Sequence, residues 1–185
     1  MLIENIKKEV LKINEEFKRQ DDENYDFWNN HIKLVVKESL FLAERYGADK
    51  EIVEIGAMLH DIALMSKVGT KVDHHLNGVK ISEKILDKYK VDKIKKDKIL
   101  GCILHHRISK NAENIEELCV ADADIISHFD NIPMCFYTSF RFKKFSLNDV
   151  GEMKVWFEKD FNDLSDRTKF EFKPRYENIM QVIFG

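Results

Sequence analysis

Proline and glycine are scarce in this chain, with two prolines and seven glycines in 185 residues. Lys, Glu, Ile and Leu are abundant instead, and that balance favours helices throughout. Cysteine is equally sparse. Cys102, Cys119 and Cys135 are odd in number, far apart and free of any CxxC spacing, which fits a reduced cytosolic compartment. No apolar run is long enough to span a bilayer, and Met1-Leu2-Ile3-Glu4 lacks the apolar block of a signal peptide. A soluble, cytoplasmic protein without a membrane partner is expected. Charge of one sign is also lacking. The formal net charge is -3, with both signs mixed along the chain, so no global field draws nucleic acid or anionic membrane.

What is present is helical periodicity. The length suits one domain, residues 1–185, with a sizeable core. Ile3, Ile6, Val10, Ile13 and Phe17 recur at three and four residues and predict an amphipathic first helix. The polar stretch Gln20 to Asn24 ends it, and a second helix is expected from about Asp26 to Tyr46, stopped by Gly47. Asp49 is placed to cap a central helix, and Asp73 to cap a fourth. Further helices are expected from about Lys93 to His106, from Glu117 to Phe129, after a Ser146 cap with Leu147, Val150 and Phe157 on one face, and around Pro174 to Phe184. Most of the thirteen phenylalanines lie from Phe129 onward. They read first as core packing of C-terminal helices 131–185 over a bundle of about 26–130, and second as a partner or homodimer surface.

The central stretch is Ile52 to Leu64. Ile52, Val53, Ile55, Met58, Leu59 and Ile62 fall on nearly every side of a helix, which marks it as buried. Within it stands His60-Asp61. An ionised Asp there is costly unless a cation or hydrogen bonds compensate it. Adjacent helical residues point about 100° apart, so the pair can share an ion only in the sector between them. Other helices must supply further ligands. The sequence offers His31, His74, His105, His106, Asp122 and Asp124. Asp122 and Asp124 diverge by about 200° on a helix and cannot both face one ion.

This ordered series resembles the HD-domain superfamily of metal-dependent phosphohydrolases, whose signature is a His, a His-Asp doublet and a distant Asp. The likeness covers about Asp26 to Asp130 and is nearest to small stand-alone HD hydrolases. It implies an all-α bundle around a buried metal site. It also implies His31 as the first ligand, followed by His60 and Asp61. Asp124 fits the family's terminal Ala-Asp followed by two apolar residues, with Asp122 as the alternative. His74, four residues before Gly78, corresponds to a second-metal or phosphate ligand. His106 precedes Ser109 by three, as in relatives, while branches with two metals use both members of such a pair and so retain His105. Asp61, His74 and His106 are the expected catalytic groups. Arg107, Lys67 and Lys71 are the expected contacts to substrate phosphate.

The implied function is hydrolysis of a nucleotide or other small phosphate ester by a metal-activated water. One divalent ion, or two, would come from Mn, Fe, Co, Ni, Zn and Mg, and the imidazole share favours transition metals over Mg. One departure stands out. Many HD hydrolases carry Lys, Glu or Asp three residues after the doublet, where this chain has Leu64. Two alternatives stand beside that function: an HD-fold di-iron oxygenase using the second set of histidines, and a non-catalytic metal-binding HD module.

Overall fold

The computed structural model describes residues 2–185, apart from the side chain of Leu147, one of the apolar positions expected on the helix after the Ser146 cap. Among the described residues there is no strand. Helix α1 (Leu2–Arg19) buries Ile6 and Val10, and the buried Asn14 carboxamide ties it to the segment around Asp26 and Trp28. Asn14 accepts from the Trp28 amide and donates to Asp26. These bonds fix the entry to a widened π-type turn, Trp28–Ile32, which carries His31 and runs directly into α2 (Lys33–Tyr46). Gly47 ends α2 at φ 75°, a left-handed conformation that costs glycine little.

The centre of the bundle is α3 (Lys50–Leu59), capped by Asp49, which accepts from the amides of Glu51 and Ile52. Every residue of α3 from Ile55 to Leu59 is buried. A short α4 (Ile62–Met65) comes next, then α5 (His74–Lys88), α6 (Lys93–His105) and α7 (Ile115–Asp130). Helix α7 packs on α2, α3 and α6, and its apolar residues are buried nearly all round. Helices α8 (Ile132–Phe142), α9 (Val150–Asp163) and α10 (Asp166–Phe184) complete the chain.

Most phenylalanines of the C-terminal segment pack in or against the core. Phe129 meets Phe157, Phe172 and Tyr176 at centroid distances of 5.2, 5.2 and 5.9 Å. Burying side chains of that size is worth roughly 1.5–3 kcal/mol each. Ser146 forms a reciprocal cap with Asp149, as its position suggested.

Two expectations are corrected. The last helix starts at Asp166 rather than near Pro174. The proline is accommodated inside it because the preceding turn faces solvent, where Phe170 is 81 % exposed and water can satisfy the freed carbonyl. The central helix is likewise not continuous: it breaks at His60-Asp61, with Asp61 at φ -106°, ψ 19°.

Candidate metal centre and cavity

That break changes how the doublet works. On an unbroken helix the two side chains would diverge, whereas here His60 Nε2 lies 3.5 Å from Asp61 Oδ2. Two glycines let the neighbouring helices close on this point. A Cβ at Gly56 would meet the Cys102 Cβ at 2.6 Å, so α6 packs against the α3 backbone itself. A Cβ at Gly78 would come within 3.1 Å of Ile103 and 3.5 Å of the His60 carbonyl. Helices α5 and α6 thereby bring His74 and His106 to the doublet.

Six side chains converge. The ligand atoms of His31, His60 and Asp124 lie within 4.8 Å of one another, and so do those of Asp61, His74 and His106. Asp61 joins the two groups. Its Oδ2 lies 3.4 Å from His31 Nε2, while its Oδ1 lies 3.1 Å from His74 Nε2 and 3.6 Å from His106 Nε2. Asp124 Oδ1 is 3.3 Å from His31 Nε2 and 3.7 Å from His60 Nε2.

Three imidazoles are held in one tautomer. Nδ1 of His60, His74 and His106 sits 2.7 Å from the carbonyls of Ala57, Lys71 and Ile103 respectively. A carbonyl only accepts, so each Nδ1 carries the hydrogen and each neutral ring turns an Nε2 lone pair to the centre. His74 Nε2 and His106 Nε2 are nevertheless 3.0 Å apart, and His31 Nε2 and His60 Nε2 3.1 Å. Facing lone pairs at that distance repel unless a proton or a metal cation lies between them. Nitrogens about 2.1 Å from one ion would sit roughly 3.0–3.4 Å apart at octahedral to tetrahedral angles. Asp61 Oδ1 is buried and accepts no hydrogen bond. The donor set fits divalent metal.

The electrostatics agree. Burial pushes His60 down to about 4, which keeps its ring neutral. Burial also opposes protonation of His31, but Asp124 and Asp61 outweigh it and raise His31 to about 10. For Asp61 the burial penalty is overcome by His60 and by the His106, His31 and His74 imidazoles, so the carboxyl is held well below its ordinary range. Asp124 is lowered in the same way, with His31 the leading cause after burial. The two carboxylates are ionised and draw positive charge.

His105 and Asp122 are not brought to this centre. His105 Nδ1 lies 2.7 Å from Glu117 Oε2, in a network that joins α6 to the start of α7. Asp122 accepts from the backbone amide and hydroxyl of Ser165, docking the α9–α10 corner. The roughly 200° between positions 122 and 124 sends one carboxylate to the centre and the other to the C-terminal helices.

A cavity of about 530 Å³ opens above the centre. Its lining includes His31, Asp61, Leu64, His74, His106 and Asp124 at the polar end, and Phe17, Tyr25, Phe27, Phe142 and Trp156 on the apolar walls. Lys71 and Arg107 line it too, with Arg107 donating to the Val72 carbonyl at 2.7 Å. Lys67 does not line the cavity. It adopts φ 53° and points its ammonium at the Gln20 carbonyl, 3.2 Å away.

Several residues at or beside the cavity have no motif in the sequence. The ring of His128 runs nearly parallel to that of His31, 6.0 Å away, and its Nδ1 is 2.8 Å from the buried Asp160. Asp160, Trp156 and Lys143 come from the C-terminal segment and carry no local pattern. Only His128, one turn beyond Asp124, gives any signal.

The HD domain family matches this sequence over residues 29–128. No curated protein matches it significantly. The fold is shared with an HD-superfamily hydrolase from Bacillus thuringiensis, at 20% identity over 99% of this chain and 95% of that one, with a TM-score of 0.69. A predicted HD superfamily hydrolase from an uncultured Thermotogales bacterium is similar at 21% identity, over 95% and 88% of the two chains, with a TM-score of 0.61.

Proposed function

This chain belongs to the HD domain family, and from that premise we propose that it is a metal-dependent phosphohydrolase acting on a nucleotide or other small phosphate ester. The observation that carries the reading is the position of the Asp61 carboxylate, with one oxygen beside His31 and His60 and the other beside His74 and His106. In this reading His31, His60, Asp61 and Asp124 hold one divalent ion, and Asp61, His74 and His106 hold a second. Such ions polarise a phosphoryl oxygen and lower the pKa of water, which is the chemistry phosphoester hydrolysis needs.

The protein's own groups supply the rest. Asp61 fixes the spacing of the two donor groups. Arg107, on the cavity lining, holds non-reacting phosphate oxygens, while Leu64 leaves the turn after the doublet without an acid or base. We assign that role to His128, whose Nδ1 donates to Asp160 and whose Nε2 is free to pass a proton to the departing ester oxygen. The aromatic walls exclude water and take the body of the substrate.

Metal analysis of purified protein, repeated on His60→Ala and Asp61→Ala, tests the centre. Undiminished metal in both variants would sink the assignment. Phosphate release from a nucleotide panel with Mn, Co or Ni tests the reaction. A second reading, a di-iron oxygenase, is favoured by the two donor groups sharing Asp61. Iron colour with substrate-dependent oxygen uptake, in place of phosphate release, would select it.

A further inference from the structure

We propose that Lys143 and Lys71 form a clamp for a second anionic group on the substrate, separate from the phosphate that reacts at the floor of the cavity. This rests on the phosphohydrolase reading and narrows its substrate class to phosphate esters with a second phosphate, phosphonate or carboxylate.

The two lysines line the same cavity from different segments of the chain. Lys71 precedes α5 and His74, whose Nδ1 donates to the Lys71 carbonyl. Lys143 lies just past α8, and its ammonium is 4.9 Å from the centroid of Trp156, which in turn packs on His128 at 5.0 Å. Among the described residues, neither ammonium has a carboxylate within ion-pair distance, and the third lining cation, Arg107, is turned to the Val72 carbonyl. The ring under Lys143 holds the cation in place without neutralising it. Burial, and then the charge of Lys71, push the Lys143 ammonium below its ordinary range. Two like charges facing one opening are placed to receive an anion between them.

Charge balance separates that anion from the reacting phosphate. Asp61 and Asp124 contribute two negative charges against the four positive charges of two divalent ions. A phosphate dianion at the floor neutralises the difference. Arg107 and the two lysines then remain unmatched, and together they call for further negative charge beyond the reacting phosphate. Size points the same way, since about 530 Å³ is in the range of pockets that enclose whole organic ligands, about 300–1,000 Å³, rather than a lone phosphate. Lys143 and Trp156 also lie beyond residues 29–128, the segment matched by the family, so one arm of the clamp comes from the C-terminal part of the chain and the other, Lys71, from within the matched segment.

Equilibrium binding tests the clamp without turnover. The probes are alkyl monophosphonates and α,ω-alkane bisphosphonates of graded length, titrated into the metal-loaded protein by calorimetry. At the matching length the bisphosphonate should bind roughly tenfold or more tightly than its monophosphonate, an advantage of one charge-assisted contact pair. Lys143→Met should remove most of that advantage, Lys71→Met,Lys143→Met all of it, and Lys143→Arg should restore it. An advantage absent at every length, or intact in the double variant, overturns the clamp. Phosphate release from simple monoesters is scored separately. Its absence alongside an intact, lysine-dependent advantage refutes the hydrolase reading and leaves the clamp standing.

Discussion

Asp61 Oδ1 lies 3.1 Å from His74 Nε2, yet this buried carboxylate oxygen accepts no hydrogen bond. Its other oxygen faces His31 and His60. One side chain therefore serves both donor groups, and the variants should separate. Asp61→Ala should lose both ions, whereas His74→Ala should lose one and keep the His31, His60 and Asp124 group loaded. Metal stoichiometry by elemental analysis reads the difference. Equal loss from the two variants would contradict a bridging carboxylate.

The same groups predict an unusual pH profile for the metal-free protein. His31 is raised to about 10, above the unfolded value near 6.5, so its stabilising contribution is complete below 6.5 and disappears as pH rises to 10. His60 is lowered to about 4, so the unfolded chain binds more protons between 6.5 and 4, and stability falls as the pH drops through that window. Asp61 and Asp124, held below their ordinary range, extend the loss at still lower pH. Chelator-treated protein should thus be most stable near pH 6.5 in urea melts. Added Mn should remove the alkaline decline, because the ion replaces the His31 proton. A flat profile from pH 5 to 9 without metal would contradict both shifts.

Much of this is legible in the sequence, for identifiable reasons. A helix apolar on all sides with an Asp inside it has few physical solutions, so α3 and the doublet stand out before any geometry. The divergence between positions 122 and 124 is also readable, although which of the two faces the centre depends on how α7 is seated against α9 and α10. The break at His60-Asp61 is not legible, because no proline or glycine marks it. It is set by tertiary packing, where Gly56 and Gly78 let α6 and α5 close in. Asp160, Trp156 and Lys143 are invisible for a further reason: each takes its place through a long-range contact, with no local pattern to announce it.

Gly56 is the packing point that can be tested most simply. Gly56→Ala places a methyl group 2.6 Å from the Cys102 Cβ, and both positions are on helix backbones that cannot yield cheaply. The overpacking should cost about 1–3 kcal/mol in urea melts. It should also push α6 outward and with it His106, so affinity at the Asp61, His74 and His106 group should fall more than at the other. Gly151→Ala is the control, since a Cβ there meets nothing within 4 Å. Equal stability of the two variants would show that α6 does not depend on that close approach.

In the proposed phosphohydrolase reaction the departing ester oxygen needs a proton, and His128 is the group we assign to give it. It lines the cavity and donates through Nδ1 to Asp160, which reaches it from α9 at 2.8 Å. Asp160 does not itself line the cavity, so it acts by orienting the ring. Asp160→Asn keeps the volume but weakens that hold on the ring. If His128 gives its proton to the leaving oxygen, the loss must depend on how much that oxygen needs it. Alkyl phosphates, whose alkoxide is a poor leaving group, should lose about 10²-fold or more in kcat, the usual worth of general acid catalysis. A nitrophenyl phosphate, whose leaving group departs without protonation, should lose far less. His128→Gln should show the same split at larger amplitude, with metal content unchanged. Equal losses on the two substrates would mean that the pair only packs α9 against α7, and the proton would then have to come from elsewhere in the cavity.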